Sequence, residues 1–265
     1  MRTFLTMLTL AAAGLHAAEP FLVAHRGASH DAPENTLPAF ELAWKQGADA
    51  IEGDFHLTSD GKIVCIHDYD TKRVSGTQKS VKDSTLAELQ SLDAGAWFKP
   101  EFKGTTMPTL RDVIATIPEG KKFYLEVKCG PEIVPAMLAD IAASGLKTEQ
   151  LVVISFNAPV IEELKKRKPE YKACWLSSFG KGSPLDPGTA EVLATVGRIQ
   201  ADGFSSKADA RIDAAFVKAI RDAGFEYHCW TVDDPATAKR FLGLGAQSIT
   251  TNRPGFLRQA LAGGS

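Results

Sequence analysis

The sequence predicts an α/β protein of the (β/α)8 TIM-like barrel class, with a small insertion after the second strand. Three observations point there. Short apolar runs alternate with helical patterns about eight times, and repeated strand–helix alternation argues a parallel sheet that closes on itself. The 265 residues, 44% of them hydrophobic, match one such domain of about 250 residues. No glycine-rich phosphate loop of Rossmann or Walker type stands where an open doubly wound sheet would need it.

The first 18 residues contain Arg2, an apolar segment over 4–15, and small residues at Ala17 and Ala18. This pattern reads as a secretory signal peptide, too short to span a bilayer, with an uncleaved anchor as the alternative. The expectation is a single domain over 19–265, exported to a periplasm or secreted, and not inserted in a membrane once the signal is removed. A strand follows over 21–25, then a loop holding Gly27 and a helix over 36–46 that Gly47 ends. The second strand covers 48–54. Asp60-Gly61 between two alternating runs then signals a hairpin, because a helical crossover needs about a dozen residues or more.

Residues 69–108 carry turn signals, a capping box at Thr85 and Glu88, and the aromatic pair Trp97-Phe98, and so read as an insertion. Strand–helix alternation resumes with a helix over 110–117, bounded by Thr109 and Pro118. Strands are expected at 123–128, 151–156, 173–177, 201–205, 227–232 and 247–251. Helices fall at 131–143, after Asn157, near 189–196, at 213–223, after Asp234-Pro235 and after Pro254. The basic run Lys165-Lys166-Arg167-Lys168 sits at a helix C-terminus, which favours cations. With a net charge of -2, the chain has no overall positive field for nucleic acid. Cys65, Cys129, Cys174 and Cys229 are widely separated, lack metal-site spacing and read as buried free thiols, although export would permit disulfides.

Chemistry concentrates at the strand ends. Glu52 and Asp54 stand at i, i+2 on a strand, so both face one way, and an apolar run aims them at the interior. Paired buried carboxylates are costly unless a cation neutralises them; an amphipathic hairpin with incidental charge is the bland alternative. The hairpin returns His67-Asp68 beside them. In a barrel the catalytic groups lie at the C-terminal strand ends, where His25, Glu52, Asp54, Glu126, Lys128 and Trp230 all fall. Glu126 shares its orientation with Lys128, so Glu126 joins the carboxylates while Lys128 reaches a substrate anion. Three carboxylates without His or Cys favour one hard divalent cation, Mg2+ or Ca2+, over zinc.

Together these motifs resemble the glycerophosphodiester phosphodiesterase family. The resemblance rests on Ala24-His25-Arg26-Gly27, Pro33-Glu34-Asn35-Thr36, Glu52-Gly53-Asp54, Asp60-Gly61, His67-Asp68, Pro108-Thr109-Leu110 and Leu125-Glu126-Val127-Lys128. It continues through Trp230-Thr231-Val232 to Thr251-Asn252-Arg253-Pro254, covering essentially the whole chain after residue 18. It implies a metal-dependent phosphodiesterase acting on a small-molecule phosphodiester. By the same resemblance, His25 and His67 are an acid–base pair, Glu52, Asp54 and Glu126 metal ligands, Arg26 and Lys128 phosphate contacts, and Trp230 a pocket wall. Phe55 and His56 depart from the small aliphatic and polar residues usual there. A phospholipase D-like enzyme on intact lipids and a silent binding protein on the same barrel are the competing readings.

Several neighbours have structural readings. Asp68 either orients His67 or caps the turn, and Glu34 and Asn35 precede a helix, where Asn is a preferred cap. His30 and His56 match no motif role and are expected to be solvated. His228 is placed outside the barrel, and Phe98, Phe156 and Phe204 in core packing rather than in an apolar lip.

Overall fold

The computed structural model of the protein describes residues 20–182 and 185–263, so the segment read as a signal peptide lies outside the described residues. Nine strands form one sheet: β1 (Leu22–Ala24), β2 (Ala50–Leu57), β3 (Ile63–Cys65), β4 (Lys122–Val127), β5 (Leu151–Ser155), β6 (Lys172–Ser177), β7 (Gly203–Lys207), β8 (Glu226–Trp230) and β9 (Ser248–Thr251). Their order is β1-β9-β8-β7-β6-β5-β4-β2-β3, and a further pairing of β1 with β2 closes a barrel. Eight strands are parallel. The exception is β3, which pairs antiparallel with β2 through the Asp60-Gly61 turn, as the hairpin signal predicts.

Helices pack around this barrel because each carries one apolar face. Helix Leu37–Lys45 buries Ala39, Phe40 and Ala43, and its first turn is capped by Thr36, whose side chain accepts from the Ala39 amide. The main core lies between sheet and helices, where Phe55, Phe123, Phe204, Phe216 and Tyr227 are buried. A smaller apolar layer of Val23, Ala50, Tyr124, Val152, Ile154 and Leu176 fills the barrel. The segment after β3 forms its own cluster, with Val74, Val81, Leu89 and Met107 packed on Val64 and Ile66. Its short helix Leu86–Gln90 starts with the Thr85–Glu88 capping box. Among the described residues no helix is long and apolar enough to cross a membrane, and all four cysteines are free thiols.

Three expectations need correction. His228 lies inside the barrel, buried against Tyr124, because it shares the face of Trp230 two residues on while Cys229 joins the outer core. His56 is buried, not solvated: β2 runs on to Leu57, and Tyr69 closes edge-on over its ring. Phe156 follows the end of β5 and is 44% exposed on the cleft, whereas Phe204 is in the core as expected. Strand ends also shift: β7 begins at Gly203 and β8 stops at Trp230.

Phe123 is fully buried and meets Phe55 edge-on at 5.7 Å. Phe123→Ala is expected to destabilise the fold by about 3–5 kcal/mol, read as a lowered urea midpoint with unchanged slope.

Candidate active site

The carboxyl ends of β1, β2, β4 and β8 converge on one cavity. Glu52 and Asp54 project inward from β2, and β4 brings Glu126 level with Asp54 in register. All three are buried, and one oxygen from each lies within 4.8 Å of the others. Gly53 between them faces outward, where a Cβ would stand 3.1 Å from the Phe40 ring. Arg26 and Gly27 turn with positive φ, of 56° and 81°. That turn lets the Arg26 amide donate to Glu52 Oε2 at 2.9 Å. A Cβ at Gly27 would lie 2.5 Å from the Ala39 backbone, so only glycine fits.

Two cations face the three carboxylates. Arg26 Nε lies 3.1 Å from Asp54 Oδ2, and Lys128 Nζ lies 2.7 Å from Glu126 Oε1 and 3.5 Å from Asp54 Oδ1. Asn35 grips Asp54 from both sides, donating Nδ2 to Oδ2 at 2.8 Å and accepting the Asp54 amide at 3.1 Å. Asn35 therefore orients a carboxylate rather than capping a helix, and its own φ of 58° is strained for that purpose. Glu34 likewise does not cap; it accepts from Arg26 at 3.0 Å and from Arg73 at 2.8 and 2.9 Å.

Burial and the charges of Asp54 and Glu126 push Glu52 well above the ordinary carboxyl range. Glu126 is pushed up to about 7 by burial and by Asp54. Burial also opposes ionisation of Asp54, but Arg26 and Lys128 outweigh it and hold this carboxyl below its ordinary value. Among the described residues, the buried side-chain polar atoms without a hydrogen-bond partner are Arg26 Nε, Glu52 Oε1, Asp54 Oδ1 and Trp230 Nε1, all at this site. Orphaned carboxylate oxygens in an all-oxygen set are what a hard divalent cation satisfies, so Glu52, Asp54 and Glu126 fit one.

The histidines stand on opposite supports. Asp233 Oδ2 can only accept, so Asn252 turns its amide nitrogen to it at 2.6 Å and its oxygen to His25 Nδ1 at 2.7 Å. His25 therefore carries its proton on Nδ1 and leaves Nε2 bare. Burial and the Arg26 charge lower its pKa to about 4, which keeps the ring neutral. His67 Nδ1 lies 2.7 Å from Asp68 Oδ1, so Asp68 orients it; Asp68 in turn binds Arg73, whose hydrogen bonds hold it down to about 2.

A cavity of about 110 Å3 lined by His25, Arg26, Glu52, His67, Lys128 and Trp230 opens into a cleft of about 690 Å3 walled by Asp68, Tyr69 and Phe156. Phe156 meets Trp230 edge-on at 5.4 Å. Seven of the eight residues singled out in the sequence thus line one space, with Asp54 buried behind them against Arg26 and Lys128, while His30 stays outside, paired with Asp31.

A glycerophosphoryl diester phosphodiesterase family model matches residues 25–256. The chain belongs to that family. It is 32% identical over 240 residues to a glycerophosphodiester phosphodiesterase of Caldanaerobacter subterraneus, covering 88% of this chain and 94% of the relative. It is 30% identical over 258 residues to one of Bacillus subtilis, covering 91% and 86%. An Oleispira antarctica phosphodiesterase, solved in complex with the product sn-glycerol-3-phosphate, superposes with a TM-score of 0.83 at 27% identity, covering 92% of this chain and 97% of that one. The chain is accordingly an enzyme, a phosphodiesterase of the glycerophosphodiester class.

In this phosphodiesterase, Asp233, Arg73 and Tyr69 had no role legible in the sequence, and Asn252 appeared only as part of a motif. Tyr69 donates its hydroxyl to the Lys128 carbonyl at 3.0 Å and stands 69% exposed at the mouth. Chain separations such as 227 residues between His25 and Asn252 leave no local trace.

The raised pKa of Glu126 dictates how stability of the metal-free protein responds to pH. The folded form keeps a proton that the unfolded chain releases at the ordinary 4.5, so this stabilisation is present below 4.5 and lost as pH rises through about 7. Thermal unfolding in EDTA is expected to show stability falling across that window and Glu126→Gln to flatten the fall. Mg2+ or Ca2+ is expected to reverse it.

Proposed function

We propose that the enzyme hydrolyses glycerophosphodiesters, the deacylated phospholipids, to glycerol 3-phosphate and an alcohol, using one divalent cation and the His25–His67 pair. The observation that carries this reading is the buried trio Glu52, Asp54 and Glu126, with orphaned oxygens, flanked by two histidines held on separate supports. The product bound by the Oleispira relative supports the glycerol 3-phosphate half.

Glu52, Asp54 and Glu126 would hold the cation, which when bound supplies positive charge to the phosphoryl oxygens. Arg26 and Lys128 add fixed positive charge to the same oxygens from the cavity wall. His25, neutral and bare at Nε2, accepts the proton of the attacking hydroxyl, which is water, giving glycerol 3-phosphate directly, or the neighbouring hydroxyl of the glycerol moiety, giving a cyclic phosphate that water then opens. His67, oriented by Asp68, gives a proton to the leaving alkoxide. Trp230 and Phe156 form an apolar wall beside the leaving alcohol, and the free Trp230 Nε1 offers a donor.

The apolar segment over 4–15 and the small residues after it support export to a periplasm or secretion. Activity recovered only with an intact N-terminus in the cytosolic fraction would contradict export.

Glycerol 3-phosphate release from a panel of glycerophosphodiesters tests the activity. EDTA is expected to abolish it and Mg2+ or Ca2+ to restore it, while His25→Ala and His67→Ala each lose about a hundredfold or more in kcat. Full activity in EDTA, or in either folded variant, would overturn this mechanism.

A further inference from the structure

A second cluster lies inside the barrel at the end away from this site. Cys174 on β6 and Glu226 and His228 on β8 face inward, and each offers a ligand atom within 4.8 Å of the others. Cys174 and His228 are buried. The strand between them is β7, on which Gly203 stands level with both Cys174 and Glu226. A Cβ on Gly203 would come within 3.1 Å of Cys174 Sγ and 2.9 Å of Glu226 Cβ. The missing side chain is what lets groups on non-adjacent strands meet.

The surrounding contacts prepare these donors. His228 Nδ1 lies 2.8 Å from Ser248 Oγ, which turns Nε2 toward Glu226 Oε2 at 3.2 Å. Lys172 pairs with Glu226 Oε1, leaving Oε2 for the histidine side. A cavity of about 130 Å3, bounded by Phe21, Lys122, Tyr124 and Gln247, reaches Glu226 and His228 and provides an entry.

We propose that Cys174, His228 and Glu226 form a second metal site, selective for a divalent transition ion of the zinc class. A thiolate, an imidazole and a carboxylate are the donors such ions favour, in contrast to the all-oxygen trio at the other end. Ser248 and Lys172 would be the outer partners that orient His228 and Glu226. Binding replaces the Cys174 S–H bond with a metal–sulfur bond and releases one proton to water. Because binding releases a proton, affinity increases with pH. Without a metal, His228 Nε2 and Glu226 Oε2 keep their direct contact at 3.2 Å, and this is the outcome the test must separate.

The test is a Co2+ titration of the metal-stripped full chain. The expected result is a thiolate-to-cobalt charge-transfer band in the near ultraviolet that Zn2+ displaces and Mg2+ and Ca2+ do not. The band should vanish in Cys174→Ser and in His228→Gln, and persist when Cys65, Cys129 and Cys229 are each replaced by Ser. Cys174→Ser should keep its Mg2+- or Ca2+-supported hydrolase activity, which also shows that it folds. Ser248→Ala should weaken Zn2+ binding by about 10- to 100-fold. A folded wild type that shows no such band, or a band that survives Cys174→Ser, overturns the proposal.

Discussion

Three carboxylates buried against one another on the inside of a barrel dominate the physics of this protein. Burial opposes the ionisation of all three, and two of them are driven up by it and by the charge of Asp54. The scaffold answers with fixed cations and donors: Arg26 and Lys128 at contact distance, the Arg26 amide on Glu52, and Asn35 on Asp54. Holding these groups requires left-handed backbone at Arg26 and Asn35, a conformation costing about 1–3 kcal/mol for each such residue. Two of the three non-glycine residues with positive φ among the described residues, and the unmet buried polar atoms, thus collect where the parallel strands end.

The two histidines of the pocket hang on different supports. His25 hangs on a neutral amide that is itself oriented by Asp233, so its other ring nitrogen is an acceptor. His67 hangs directly on Asp68, which Arg73 and the hairpin segment hold in place. The hairpin β2–β3 and the segment after it are therefore part of the site. Arg73 reaches both Glu34 and Asp68, tying the first loop of the barrel to the hairpin.

The legibility of the fold follows from period and punctuation. Strand–helix alternation exposed all eight parallel strands, and Asp60-Gly61 exposed the one antiparallel strand, because these features act over a few residues. The same alternation, with its phase taken from the wrong neighbour, misplaced His228: Trp230 on the inner face requires residue 228 there too. His56 and Phe156 were misjudged because their burial depends on where a strand stops and on Tyr69, a residue from a different segment.

The sequence by itself determined the barrel, its hairpin and the eight residues gathered at the cavity and behind its wall, since strand parity and order place residues at strand ends without knowledge of long-range contacts. Only the tertiary structure decided which atoms those residues present. Asn252 sets the proton of His25 across 227 residues, Asn35 serves Asp54 instead of a helix end, and Cys174 meets Glu226 and His228 across a glycine strand. Tautomer, pKa and ligand geometry depend on distances of a few ångströms between remote segments, and those distances exist only after the barrel has closed.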